Sequence, residues 1–221
     1  MEKLKFDPKQ MIARRVAKEL KNGAIVNLGI GIPTMVAEFI PNNIQVFLHS
    51  ENGMLGVGRF PKEGELDPEI INAGKIPVTE KQGASYFSSS ESFAIIRGGH
   101  VDTVILGALQ VSETGDIANW AVPGKDVLGV GGAMDLVVGA REVIVATQHI
   151  TKDGKPKIVP SCTYPLTAQG VVDTIVTEYA VLRSINKELV LEEIADGWTI
   201  EELKEVTTAN FRVSRNLKIY Q

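Results

Sequence analysis

The chain has 221 residues, 44% hydrophobic and 23% charged, with a formal net charge of −4. Such a chain can bury one sizeable core, and its acidic balance argues against nucleic acid as the main partner, because phosphate binding calls for a basic face. The single cysteine, Cys162, excludes an internal disulfide, and no apolar run approaches the length of a membrane span, so a cytoplasmic protein without membrane contact is expected.

Aromatics are scarce and glycines number 21, which suits an α/β fold with many tight strand–helix turns. Asp7-Pro8 supplies a cap and a first-turn proline for a helix whose stripe is Ile12, Val16 and Leu20, and Gly23 ends it. Ala24–Leu28 is a short apolar run expected as a buried strand, followed by the glycine turn Gly29-Ile30-Gly31. Pro33 fits the first turn of a helix running through Met35, Val36 and Phe39. Ile44, Val46 and Leu48 alternate with Gln45, Phe47 and His49, a strand pattern that runs straight into Ser50-Glu51-Asn52-Gly53.

From Gly53 to about Gly83 periodicity is weak; an irregular stretch of this length is functional or conceals short strands. Ser90-Glu91-Ser92 opens a short helix ending at Gly98-Gly99, with the preceding serines as its cap. Val101–Leu109 and Glu142–Ala146 read as inner strands, while Val127–Ala140 alternates glycine turns with apolar residues. Thr199 and Glu202 have capping-box spacing for a helix through Leu203 and Val206. No repeat or linker divides the chain, so one α/β domain over 1–221 is expected, built on an open, mostly parallel sheet with flanking helices.

Glu51 is the foremost candidate for chemistry. An apolar strand stopping at a turn with Asn52 and Gly53 projects one side chain from rigid scaffolding into open space. A carboxylate there can act as a covalent nucleophile in acyl transfer; the same pattern also describes a solvated turn glutamate. Gly31, in the strand–turn–helix segment 27–34, and Gly131, in Gly129-Val130-Gly131-Gly132-Ala133, could present backbone N–H groups to an anion or oxyanion, or could simply form tight turns. The first segment is not a dinucleotide fingerprint, because it lacks the third glycine. Lys75, after Asn72-Ala73-Gly74, is a candidate cation for a phosphate or carboxylate, or a plain surface lysine. His49 and His100 have no ligand partners at helical spacing, so no metal site is indicated, and Cys162 reads as structural.

Several strings together resemble the B-type half of family I CoA-transferases: NLGIGIPT (27–34), HSENGMLGVG (49–58), INAGK (71–75), SFAIIRGGHVD (92–102), LGALQVSETGDIANWAVPGK (106–125), GVGGAMDLV (129–137) and PLTA (165–168). They run in order across nearly the whole chain, and SENG, IRGGH and GGAMDL are not products of generic α/β composition. The resemblance implies an active site shared with a separate A-type subunit, in an A2B2 assembly, and no cofactor beyond coenzyme A as co-substrate. It also implies ping-pong exchange of CoA between an acyl-CoA and a short-chain acid, acetoacetate being one expected partner. The family's nucleophilic glutamate falls on Glu51. Its supporting asparagine falls on Asn27, a glycine N–H of the GGAMDL loop on Gly132, and a lysine near bound CoA on Lys75. The sequence departs from the family pattern at His49, where many relatives have glutamine, and at Tyr164, where leucine is usual. Two other readings remain: an acyl-CoA hydrolase of the same superfamily, and a non-catalytic sensor of phosphorylated metabolites.

Overall fold

A computed structural model of the chain describes residues 7–124 and 129–220. Lys125 and the start of the glycine-rich stretch at Val127 lie outside the described residues. The first half contains α1 (Pro8–Ala17), β1 (Ile25–Leu28), α2 (Ile32–Met35) with a 3-10 turn over Val36–Phe39, β2 (Phe47–Ser50), β3 (Met54–Val57), β4 (Glu80–Tyr86) and α3 (Ser89–Arg97). Then come β5 (Thr103–Leu106), β6 (Gln110–Ser112), β7 (Ile117–Ala118), α4 (Ala133–Gly139), β8 (Glu142–Ala146) and β9 (Ile158–Val159). The chain closes with β10 (Thr174–Val176), β11 (Ala180–Ile185), β12 (Glu188–Ala195), α5 (Ile200–Glu205) and β13 (Arg212–Tyr220).

Ten strands form one sheet in the order β13-β12-β11-β10-β8-β5-β1-β2-β3-β4, and β7-β6-β9 form a smaller one. The centre of the large sheet, β10-β8-β5-β1-β2, is parallel throughout. Antiparallel strands extend it on both sides, and β13 returns parallel to β12. The expected mostly parallel sheet is therefore its middle, with mixed wings.

The inner strands read as unbroken apolar runs because both of their faces are covered. Val104, Val143, Val145 and Ile175 point into a core beneath α3, α4 and α5, which contribute Ile96, Leu136, Val137 and Leu203. Their neighbours Val26, Ile105, Ile144 and Val176 point the other way, onto Ile12, Ala13, Val16 and Val36 of α1 and the 3-10 turn. Burying each of these Val, Ile and Leu side chains contributes roughly 1.5–3 kcal/mol. At the far side, α1 is tied to the sheet through Arg15, whose guanidinium meets Glu193 at 2.6 and 2.8 Å and Glu19 at 2.6 Å.

Most expected helix starts are present. Asp7 accepts from the Lys9 N–H at the start of α1, and capping boxes open α3 at Ser88/Glu91 and α5 at Thr199/Glu202. Regular α1 ends at Ala17, before the expected Gly23, which takes φ +83° at the entry to β1. The strand expected from Ile44 begins only at Phe47, the first residue to pair with β1. Ile44 instead closes a turn onto the Pro41 carbonyl, and the Gln45 N–H donates to Asn22 Oδ1. The weakly periodic stretch 53–83 conceals β3 and the start of β4, and the stretch before Ala140 contains α4 rather than turns alone.

His149, after β8, is enclosed between the hydroxyls of Thr177 and Thr207 at 2.9 and 2.8 Å. Burial pushes its imidazole down to about 3. The unfolded chain takes up this proton near pH 6.5, roughly, whereas the folded protein refuses it until far lower pH. The contribution is therefore complete above that value and is lost as pH falls towards 3. Replacing His149 by Asn should flatten the fall of unfolding free energy between pH 6 and 4.5 by up to about 1.4 kcal/mol per pH unit. Denaturant titrations of both proteins across that range would measure the difference.

Candidate active site

The chain leaves β1 for β2 on one side and reaches β5 on the other, so strand order reverses at β1. Crevices outside the carboxyl ends of strands at such a reversal are where open α/β sheets hold ligands. Glu51 follows the last residue of β2 at that end and is half-buried. Among the described residues, its carboxylate makes no hydrogen bond or ion pair.

The turn bearing Glu51 is rigidly built. The Gly53 N–H closes it on the Ser50 carbonyl at 3.0 Å, and Phe87 N–H donates to the Gly53 carbonyl at 3.0 Å. Gly53 has φ +124°, and a Cβ there would fall 2.1 Å from the Phe87 carbonyl oxygen. Only glycine fits. The residues on either side of Glu51 fasten a second turn: Ser50 Oγ accepts from the Ala73 N–H at 3.0 Å, and Asn52 Nδ2 donates to the Ile71 carbonyl at 2.8 Å. That turn is folded by Asn72, whose Oδ1 accepts from the N–H groups of Gly74 and Ile76. Lys75 sits at its tip, exposed and at φ +60°, a conformation uncommon for a residue with a Cβ.

Two glycine segments border the same region. Gly31 caps α2 at φ +91° with open space around its Cα, while Gly29 packs against Leu106 and Ile105 of β5. Ile30, between them, is 71% exposed, and its side chain lies 3.5 Å from where a Cβ on Gly74 would stand. Gly132 caps α4; a Cβ there would meet Phe93 Cζ at 3.0 Å and Glu51 Cγ at 3.5 Å. Gly131, at φ +56°, faces open space. Tertiary structure thus gathers Glu51, Gly132 and Phe93 on one side, and links Lys75 to Glu51 through Ser50 and Asn52.

Asn27 is placed differently. It is 1% exposed, and its Nδ2 lies 3.0 Å from His49 Nδ1 and donates to the His49 carbonyl at 3.3 Å. His49 Nε2 lies 3.0 Å from Ser92 Oγ. Burial pushes the His49 imidazole down to about 4. Sequence reasoning missed Ser92 and Phe93 and the bonds made by Ser50 and Asn52. A signal for the first existed: Asn27 and His49 interrupt otherwise apolar strand faces.

A groove of about 650 Å³ is lined by Leu28, Val46, Leu48, His49, Ser50 and Asn72. A second crevice, of about 610 Å³ and lined by Asp102, Arg141 and Asp173, lies at the amino ends of the strands, away from Glu51. Cys162 is half-buried with its thiol pushed up to about 11 by burial, which removes the thiolate needed for nucleophilic work. Among the described residues, no group of three or more His, Cys, Asp and Glu side chains is placed to hold a metal ion, and no helix is long and apolar enough to cross a membrane.

The coenzyme A transferase family matches this chain over residues 9–206. The chain belongs to that family, and within it to the B type of chain. It is 53% identical over 212 residues to the beta chain of the acetate CoA-transferase of Escherichia coli (strain K12), covering 96% of this chain and 97% of that one. It is 48% identical over 205 residues to the B-type chain of the succinyl-CoA:3-ketoacid coenzyme A transferase of Helicobacter pylori, in each of two strains, covering 93% of this chain and 99% of those. An acyl-CoA transferase apoenzyme from Escherichia coli O157:H7 shares the fold, with a TM-score of 0.79 at 21% identity; the match covers 99% of this chain but 44% of that one.

Replacing Gly53 by Ala should lower the thermal unfolding midpoint by several degrees, because φ +124° and the Phe87 carbonyl both oppose a methyl group. A differential scanning measurement on the two proteins checks this; an unchanged midpoint would contradict the placement of the turn.

Proposed function

We propose that this chain is the B-type half of a 3-oxoacid-type CoA-transferase in which Glu51 is the nucleophile and carries CoA as a thioester. The observation that supports this most is the Glu51 carboxylate itself, at the open end of β2, beside Gly132 and free of any ion pair among the described residues. A carboxylate locked to a cation would be a poor nucleophile; one on a rigid turn with small neighbours can meet a bulky thioester.

In the first half-reaction Glu51 attacks the acyl-CoA carbonyl and expels CoA as thiolate, leaving an acyl-glutamyl anhydride. The thiolate then attacks the glutamyl carbonyl, forms the Glu51–CoA thioester and releases the first carboxylic acid as carboxylate. A second carboxylate reverses both steps. Each step passes through an oxyanion, and one preorganised donor at such a centre is worth about 3 kcal/mol. Gly132 N–H is the donor we assign, with Gly131 beside it. Lys75, held next to the Glu51 turn, and the N–H groups around Gly31 are assigned to CoA, whose remote nucleotide supplies binding energy realised at the transition state. Asn27, whose amide nitrogen bonds His49 beside the Glu51 turn, is the asparagine we assign to supporting the thioester and its oxyanions.

The partner is a separate A-type subunit, in an A2B2 assembly, and the acids exchanged are short-chain carboxylates such as acetate, butyrate or succinate with acetoacetate. A hydrolase would differ only in letting water take the thioester, and a sensor would have no use for an unpaired carboxylate facing an anion. Mixing the chain with its A-type partner and acetoacetyl-CoA should attach CoA to the peptide containing Glu51, read by peptide mass spectrometry, and Glu51→Ala should abolish the adduct. Release of free CoA without an acceptor acid would favour the hydrolase; neither adduct nor turnover in a confirmed assembly would favour the sensor. The chain without its A-type partner should show no transferase activity, as an assay of the highly purified isolated chain would reveal.

A further inference from the structure

The Asn27–His49–Ser92 chain joins β1, β2 and α3 directly behind the Glu51 turn. Its proton placement follows from geometry. Asn27 Nδ2 faces two acceptors, the His49 carbonyl and Nδ1; exchanging the amide's oxygen and nitrogen would set oxygen against oxygen. Nδ1 is therefore the acceptor, the imidazole proton lies on Nε2, and it is donated to Ser92 Oγ. All three side chains are buried, at 1%, 4% and 0% exposure.

The arrangement is costly for folding. Asn27 Oδ1 is buried without a partner, and an unmade bond of that kind costs about 1–3 kcal/mol. Two apolar residues would serve a core better. What the chain does fix is the relation between Glu51 and its neighbours. His49 precedes Glu51 by two residues and stacks beneath Phe87, whose backbone clamps Gly53. Ser92 precedes Phe93, the ring that packs on Gly132 next to Glu51. We propose that His49 is a positioning residue: by bonding Asn27 on one side and Ser92 on the other, it holds Glu51 in register with Phe93 and the Gly132 N–H. Reacting groups misplaced by 1 Å can lose about a hundredfold in rate.

This inference rests on Glu51 being the nucleophile, and the test separates the two. Glutamine at 49 can accept from Asn27 through its oxygen and donate to Ser92 through its nitrogen, whereas leucine can do neither. In the enzyme assembled with its A-type partner, His49→Leu should lower kcat by about ten- to a hundredfold with KM for acyl-CoA within about twofold. His49→Gln should restore kcat to within about threefold of the original, a recovery that mere filling of space would not produce. Quenched mass spectrometry of the Glu51 peptide should show the thioester forming correspondingly slowly in the leucine variant. Should that variant fail to fold, Ser92→Ala removes the acceptor alone and should show the same kcat loss. Unchanged kcat in both variants, glutamine as impaired as leucine, or a loss confined to KM would overturn the role of His49 while leaving the nucleophile standing. No thioester at Glu51 in the unaltered enzyme would overturn both.

Discussion

The pairing of β1 between β2 and β5 is the constraint on which the site depends. Because all three strands run the same way, their carboxyl ends emerge together, and the turns that follow them share one rim. Parallel pairing of this kind requires cover on both faces, and the chain provides it with α1 and the 3-10 turn on one side and α3 and α4 on the other. The cover on the second side also supplies Phe93 and Gly132, so the helices that complete the core are the ones that border Glu51. Packing and site are one construction here.

Charge is managed differently in the two halves of that construction. Around α1, Arg15, Glu19, Arg183, Glu192 and Glu193 neutralise one another through short bonds, as partly buried charges must. At the rim, Glu51 has no such partner among the described residues, and the histidine behind it is kept neutral by burial. A carboxylate that no fixed cation restrains keeps its lone pairs available for an incoming carbonyl. The nearby positive charge, Lys75, sits on a separate turn that reaches the Glu51 turn through hydrogen bonds of its neighbours rather than through a salt bridge.

Much of this was legible in the sequence. The apolar runs at 24–28, 101–109 and 142–146 and the capping box at Thr199 and Glu202 are local patterns with local causes; the runs reappear as β1, β5 (shortened to Thr103–Leu106) and β8, and the box opens α5. Glu51 was legible as a candidate, since a strand running into Ser-Glu-Asn-Gly can project a carboxylate, though the same pattern describes a solvated turn glutamate. Other features were not. β4 is an exposed strand without apolar alternation, held by pairing to β3, so its residues carry little sign of it. The delayed start of β2 has the same reason: Ile44 and Val46 have strand chemistry, but the partner strand begins opposite Phe47.

Sequence by itself determined which segments could be strands or helices, and which residue types stood at their ends, because propensity, capping and turn geometry act over a few residues. Only the tertiary structure decided that Gly132 lies against Glu51, that Ser50 and Asn52 hold the Lys75 turn, and that the Asn27 amide is bonded to His49. Those relations join positions tens of residues apart, and they exist because strand order and helix packing bring the segments together; no local pattern encodes the distance between them.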